Sequence, residues 1–244
     1  MTPLRVEEKR TDALETRNGP VQGLLLIDKP AGMTSHDVVQ RVRRVYGERS
    51  IGHLGTLDPF ATGLLILLLG RATRLATFID AEPKVYEAVI SFGEETDTDD
   101  ATGTVIRSAD PPTETAVRSA VSNLTGPISQ VPPAYSAKSV DGTRAYDAAR
   151  RGEPLDLPAA EVTVHAWEIL SYRNGKLSAV ITCSSGTYIR ALARDIGRLT
   201  SSAAHLAALR RTRAGHFDVA QAATLETLSK DPALVKWLRV VADA

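Results

Sequence analysis

The stretch "GHLGTLDPFATGLL", residues 52–65, sets one carboxylate, Asp58, on a glycine-rich turn immediately before Pro59. Three chemistries are open to an isolated acid in that setting: turn former, metal ligand or nucleophile. As a turn former, Asp58 bonds its own backbone while Pro59 sets the geometry. As a reactive group it depends on its surroundings. Gly52, Gly55 and Gly63 permit tight turns and close approach of a ligand, and His53, Thr56 and Thr62 supply polar groups. The apolar run Leu64–Leu69 then anchors the turn on a core, as a reactive side chain requires.

Other chemistries find less support. "DTDDATG" (97–103) resembles the opening of a calcium loop, but Ala101 and Thr102 fill its fifth and sixth positions and Ser108 its twelfth. It reads instead as a solvated acidic turn. Histidines 36, 53, 165, 205 and 216 lack the close spacing of zinc ligands, so no metal is expected. The single cysteine, Cys183 in "AVITCSSG", reads as a small core residue rather than a nucleophile, and it rules out an internal disulfide framework. There is no Gly-x-x-x-x-Gly-Lys loop and no Gly-x-Gly-x-x-Gly after a strand, so no cofactor is expected.

The elements that must position Asp58 follow from hydrophobic period and punctuation. "GLLLIDKPAG" (23–32) predicts a buried strand ending in a Pro-Gly turn. "TSHDVVQRVRRVYG" predicts a capped amphipathic helix ended by Gly47, with Arg41, Arg43 and Arg44 pointing away from the core. Strands are expected at 85–93, 162–171 and 177–183, and helices at 113–124, 187–199 and 202–210. Residues 126–154 have weak periodicity until a short helix near 144–151 and read as an excursion from the core. Residues 1–20 read as a mobile polar arm, 21–225 as the main domain and 226–244 as a short helical tail. Irregular mixing of strands and helices indicates an α+β fold.

The 244 residues carry 29 Lys plus Arg and 29 Asp plus Glu, so net charge identifies no polyanionic partner. The distribution says more. Residues 190–213 hold six arginines against Asp195 alone, whereas "EETDTDD" (94–100) holds five acids and no base. A basic face for phosphates is one reading and solvated helix faces the other. No segment approaches the ~20 apolar residues of a membrane helix, and the polar start lacks a secretion signal, so the expected location is the cytoplasm.

Five ordered segments resemble one family. "GHLGTLDPFATGLL" is similar to the signature of the TruB-type tRNA pseudouridine synthases. "LLLIDKPAGMTSHDVV" looks like their Lys-Pro-x-Gly-x-Thr-Ser segment, and "KVYEAVISFGEETDTDDATG" like the segment of their active-site tyrosine. "VPPAYSAKSVDGTRAYDAARRGE" resembles their RNA-gripping insertion, and "CSSGTYIRALARDIG" their arginine motif. Leu54 and Ile66 depart from the pattern, where a smaller or polar residue and a proline are usual.

The resemblance implies a mixed, mainly antiparallel sheet flanked by helices. It also implies isomerisation of uridine 55 in the tRNA T loop to pseudouridine, by base detachment, rotation and rejoining through C5. No metal or cofactor is required. Asp58 is then the essential carboxylate, and an aspartate is ordinarily ionised at neutral pH, so it needs positioning more than activation. It has three routes: attack at C1′, abstraction of the 2′ proton, or addition at C6. Arg190 matches the arginine that pairs with the acid, and Tyr86 the tyrosine that stacks on the target base. Tyr188 matches a pocket residue, and His53 the histidine that fills the space left by flipped bases. Lys29, Lys138, Arg144, Arg150, Arg151, Arg210, Arg211 and Arg213 are expected to contact RNA. The partner is the T arm of tRNA, the enzyme is expected to be a monomer, and the alternative is a tRNA-binding or folding module without catalysis. "LETLSKDPALVKWLRVVADA" is short for the PUA-type domain that many members carry, which predicts reduced acceptor-stem contact.

Overall fold

The computed structural model describes residues 21–140, 142–230 and 232, with the backbone of 5–8 and 238–241. By contacts the chain divides into two compact units, one of residues 1–84 and 210–244 and one of 85–209. The remainder of the expected N-terminal arm lies outside the described residues.

In the first unit the chain forms β1 (Arg5–Glu8), β2 (Gly23–Lys29), α1 (Ser35–Tyr46), β3 (Ile51–Leu54) and β4 (Thr62–Leu69). α1 begins where the sequence places it. Thr34 accepts from the Asp37 amide while the Asp37 carboxylate takes the Thr34 amide, and Gly47 closes the helix at φ +64°. Of its three arginines, Arg41 and Arg44 are exposed, but Arg43 is half-buried and donates to the Ile51 carbonyl at 3.1 Å.

β2 and β4 pair antiparallel along their whole length, from Gly23 opposite Leu69 to Lys29 opposite Gly63. Their continuous apolar sequences have a direct cause: both faces are covered. Leu25, Ile27, Leu65, Leu67 and Leu69 pack with Val38, Val39 and Val42 of α1. The alternate residues Leu24, Leu26, Leu64, Ile66 and Leu68 pack with Ala72, Ala214 and Phe217. A strand buried on both sides cannot show polar alternation. Each such side chain contributes about 1.5–3 kcal/mol, so this strand pair is a stiff base for the loops at its ends.

The second unit holds most of β5 (Lys84–Phe92), the hairpin β6 (Glu94–Thr96) and β7 (Val105–Ser108), and α2 (Glu114–Asn123). After β8 (Gly126–Gln130) come the short β9 (Ser139–Val140), β10 (Thr143–Arg144) and α3 (Ala145–Arg150). The unit continues with β11 (Ala160–Arg173), β12 (Lys176–Cys183), α4 (Ile189–Leu199) and the start of β13 (Ala204–Ala214). Its sheet has the order β5-β12-β11-β8, with β11 antiparallel to both neighbours. Gly126–Gln130 is thus an edge strand, and the excursion leaves the sheet only after Gln130. Cys183 is fully buried at the end of β12.

The chain completes the first unit with the rest of β13, β14 (Phe217–Asp218), β15 (Ala223–Thr224), α5 (Leu225–Lys230) and β16 (Leu238–Val241). β4 pairs with β13 and β2 with β15 in parallel, while β16 is antiparallel to both β1 and β2. The fold is α+β with a mixed sheet. Arg5–Glu8, inside the expected arm, is therefore a strand, and Leu238–Val241, inside the expected helical tail, is its partner.

One expected element is wrong in kind. The helix expected at 202–210 is the strand β13. Alanine and leucine favour helix by propensity, but here they serve a close contact. A Cβ on Gly197 of α4 would lie 2.6 Å from the Ala204 amide nitrogen, so the strand must start with small residues. Leu206 is then held by its amide to Asp99 and its carbonyl to Ala101, leaving no intrahelical partners.

Candidate active site

Asp58 lies in the seven-residue loop, 55–61, between the antiparallel strands β3 and β4. The loop is fastened through its backbone on every side. The Ser35 hydroxyl, at the first turn of α1, receives the Leu57 amide at 2.9 Å and lies 3.2 Å from the Leu57 carbonyl. The Gly32 amide donates to the Pro59 carbonyl at 2.8 Å, and the Ala61 amide to the Asp58 carbonyl at 3.1 Å. Leu57 and Ala61 are buried, while Asp58 between them is half-buried. The loop's backbone is thus held fast around the half-buried Asp58.

Two buried cations complete this support. Lys29, with no exposed surface, donates to the carbonyls of Pro30 (2.9 Å), Met33 (2.7 Å) and Pro59 (3.3 Å). Its ammonium therefore ties the Pro-Gly turn after β2 to the Asp58 loop. Burial lowers its pKa to about 8, opposed by the negative charge of Asp58 and reinforced by the positive charge of Arg211. Arg211, 1% exposed in β13, donates to the carbonyls of Leu64 and Gly55 at 2.8 Å each. It closes the two ends of the loop that contains Asp58. Its own backbone runs against Gly63 (φ +101°), where any Cβ would collide with the Arg211 carbonyl. That approach is why residue 63 is glycine.

These positions change what the expected RNA-contact residues do. Lys29 and Arg211 lie beneath the loop and are spent on its carbonyls. Arg210 forms a two-bond pair with Asp28, at 2.9 and 2.8 Å, and Arg213 pairs with Asp218 at 3.2 Å. His53, on β3, is half-buried with its Nε2 3.2 Å from the Thr56 hydroxyl. Burial, then the charges of Arg211 and His36, lower its pKa, so its ring is neutral at physiological pH.

The second unit carries Tyr86, Tyr188, Arg190 and the insertion. Tyr86 is 7% exposed on β5. Tyr188 is the N-cap residue of α4, and Arg190 lies in that helix's first turn. Arg190, 4% exposed, donates to the carbonyls of Thr98 (3.0 Å) and Tyr135 (2.9 Å), with Asp100 at 3.7 Å. Lys138 and Arg144 are exposed on the insertion, as are Arg150 and Arg151. Arg150 sits over the Tyr146 ring, 5.7 Å from its centroid.

The segment 97–103 is a turn, as expected, but its Asp99 and Asp100 are buried rather than solvated, as is Glu95 before it. Glu95, Asp99 and Asp100 are 2%, 6% and 4% exposed. Arg190, Arg194 and Arg198 stand four residues apart on one face of α4 and meet these acids in order. Arg190 faces Asp100, Arg194 contacts Asp99 at 3.0 Å, and Arg198 contacts Glu95 at 2.6 Å. The first three arginines of the basic run are therefore matched to three buried acids of the acidic run inside the fold. Burial raises the pKa of Asp99 to about 6 against the pull of Arg194. Burial also works against Glu95, but hydrogen bonds from Arg198 and Arg107 hold its pKa below the usual value.

Sequence reasoning missed the supporting roles of Ser35 and Arg211. Among the described residues, no group of three or more His, Cys, Asp or Glu side chains is placed to hold a metal ion. Nor is any described helix long and apolar enough to cross a membrane.

Comparison with known proteins adds the family. Residues 43–189 match the profile of the TruB family pseudouridylate synthase N-terminal domain. Residues 190–238 match that of the tRNA pseudouridylate synthase B C-terminal domain. The chain is 49% identical over 232 residues to the tRNA pseudouridine synthase B of Thermobifida fusca (strain YX), covering 91% of this chain and 79% of that protein. It is 51% identical over 222 residues to that of Leifsonia xyli subsp. xyli (strain CTCB07), covering 87% and 74%. Among solved structures, it matches a chain of a Cbf5-Nop10-Gar1 complex with TM-score 0.66 and 28% identity, over 85% of this chain. A chain of an archaeal box H/ACA sRNP Nop10-Cbf5 complex matches with TM-score 0.62 and 28% identity. The chain spans just over half the length of these two, 54% and 53%.

Proposed function

Starting from the fact that this chain belongs to the TruB family of pseudouridylate synthases, we propose that it converts uridine 55 in the T loop of tRNA to pseudouridine, with Asp58 as the essential carboxylate. In this reaction the N1–C1′ bond breaks, the base rotates, and a C5–C1′ bond forms. The C5 proton leaves to solvent and N1, freed from the ribose, gains one in its place, so no group is consumed. The observation that carries the reading is the Asp58 loop. Ser35, Gly32, Lys29 and Arg211 all anchor it through its backbone, with the half-buried Asp58 at its centre. A carboxylate that acts through its position needs this kind of frame.

Within the same reading, Tyr86 stacks on the target base, Tyr188 lines the pocket and Arg190 orients the carboxylate. His53, as a neutral ring, fills the space that the flipped base vacates. Lys138 and Arg144 contact phosphates of the T arm. Residues 21–225 form the catalytic domain, which works as a monomer in the cytoplasm. The test is tritium release from unmodified tRNA transcript labelled at uridine C5. Wild-type protein releases tritium from the T-loop uridine, and Asp58→Asn releases at least about 1,000-fold more slowly, as for loss of an essential catalytic group. Full activity of Asp58→Asn removes the carboxylate from the mechanism, and release only from RNAs other than tRNA removes the substrate.

A further inference from the structure

α4 has no side-chain cap of its own at Tyr188, although Tyr188 at its N-cap and Arg190 in its first turn are the residues assigned above to the pocket and to the carboxylate. The group that serves this terminus comes from 58 residues away. Gln130, the last residue of β8 and 2% exposed, accepts the Tyr188 amide on Oε1 at 2.8 Å. Its Nε2 donates to the Tyr188 carbonyl at 3.2 Å. A carboxamide is the side chain that offers a donor and an acceptor side by side, so it can grip one residue's amide and carbonyl together.

Gln130 is also where the insertion leaves the sheet, and the next residues are held by the same helix. The Val131 carbonyl accepts from Arg194 at 2.8 Å, and the Tyr135 carbonyl from Arg190 at 2.9 Å. Further out, the Tyr146 amide donates to the Ser136 carbonyl at 3.1 Å, and the Ala145 amide to the Lys138 carbonyl at 2.8 Å. Side-chain bonds from Gln130, Arg190 and Arg194 thus hold the start of the insertion to α4, and backbone bonds within the insertion continue from there to the exposed Lys138 and Arg144.

From this geometry we infer that Gln130 is a positioning residue, which sets the RNA-holding insertion in register with Tyr188 and Arg190. The inference rests on the function proposed above. It assigns the clip a role in the chemical step, separate from RNA affinity, because Gln130 itself is buried away from any RNA. An ångström of slack between the docked RNA and α4 is enough to slow a reaction that depends on placement.

Gln130→Met removes both hydrogen bonds at similar side-chain volume. Gln130→Glu keeps the acceptor for the Tyr188 amide but turns an acceptor toward its carbonyl. Both variants are measured for single-turnover tritium release at saturating tRNA transcript, for tRNA affinity, and for amide hydrogen exchange at Tyr188. The expected result is a rate at least about 10-fold lower with affinity within about twofold of wild type, and faster exchange at Tyr188. Unchanged rates overturn the inference. So does a parallel fall of rate and affinity, the signature of lost folded protein. Should wild-type protein release no tritium from tRNA, the proposed function fails instead, and unchanged exchange at Tyr188 in Gln130→Met still overturns the clip.

Discussion

Lys29 shows how one residue can cost stability and still serve a site. Its ammonium has three N–H bonds and meets three carbonyls. The neutral amine has two, with a lone pair facing the third carbonyl. Burial lowers its pKa to about 8 from 10.5, so between those values the unfolded chain binds more protons than the folded one. This group's contribution to stability therefore rises with pH across that window, and below pH 8 holding the charge is a net cost. The clip on Pro59 weakens in the same direction. We expect the isomerisation rate of wild-type protein to fall on an alkaline limb near pH 8. In Lys29→Met that limb is absent and the rate is low throughout, which a rate profile from pH 6.5 to 9.5 on one tRNA transcript checks. A wild-type limb unchanged by the substitution removes Lys29 from the titration.

Among elements, α4 shows how periodicity decides more than composition. Arginines at 190, 194 and 198 fall on one face because four residues make about one turn, and that face meets the buried Asp100, Asp99 and Glu95. Asp99 is the member with a measurable consequence. Its pKa is raised to about 6 in the fold and returns to about 3.8 on unfolding, so the folded protein binds the extra proton between those values. The stability owed to Asp99 is thus greatest at low pH and declines as pH rises through 6. Thermal melting of wild-type protein and Asp99→Asn should show this. Wild type loses ground to the variant between about pH 4 and 6.5, and the difference is flat above that. A difference independent of pH places the Asp99 pKa at its ordinary value.

The charge map of the whole molecule is not that of the sequence. Six arginines between 190 and 213 suggested a phosphate-binding face, but each meets an acid or a backbone carbonyl within the fold. The exposed Lys138 and Arg144 of the insertion are the better candidates for phosphate contact. We expect Lys138→Ala and Arg144→Ala each to lower the slope of log affinity against log salt by about one unit, with tRNA affinity falling similarly for different T-arm sequences. Arg213→Ala, whose partner is Asp218, should change that slope by less. Affinity titrations from 50 to about 300 mM salt distinguish the two outcomes, and equal slopes for all three variants contradict the assignment.

Much of the fold was legible. The Thr34 cap, the Gly47 stop, the buried strand at 64–69 and the alternating strand after Lys84 are local signals, and local signals survive folding. The Asp58 turn was legible too, because glycine spacing and Asp-Pro chemistry act within a few residues. The rest is set by partners distant in sequence. β13 is a strand because Gly197 and Asp99 meet it, against the helix propensity of its own residues. Lys29 and Arg211 became the frame of the loop rather than its RNA contacts. A buried cation and a surface cation have the same letter in a sequence, and only the carbonyls that the fold gathers around the charge tell them apart.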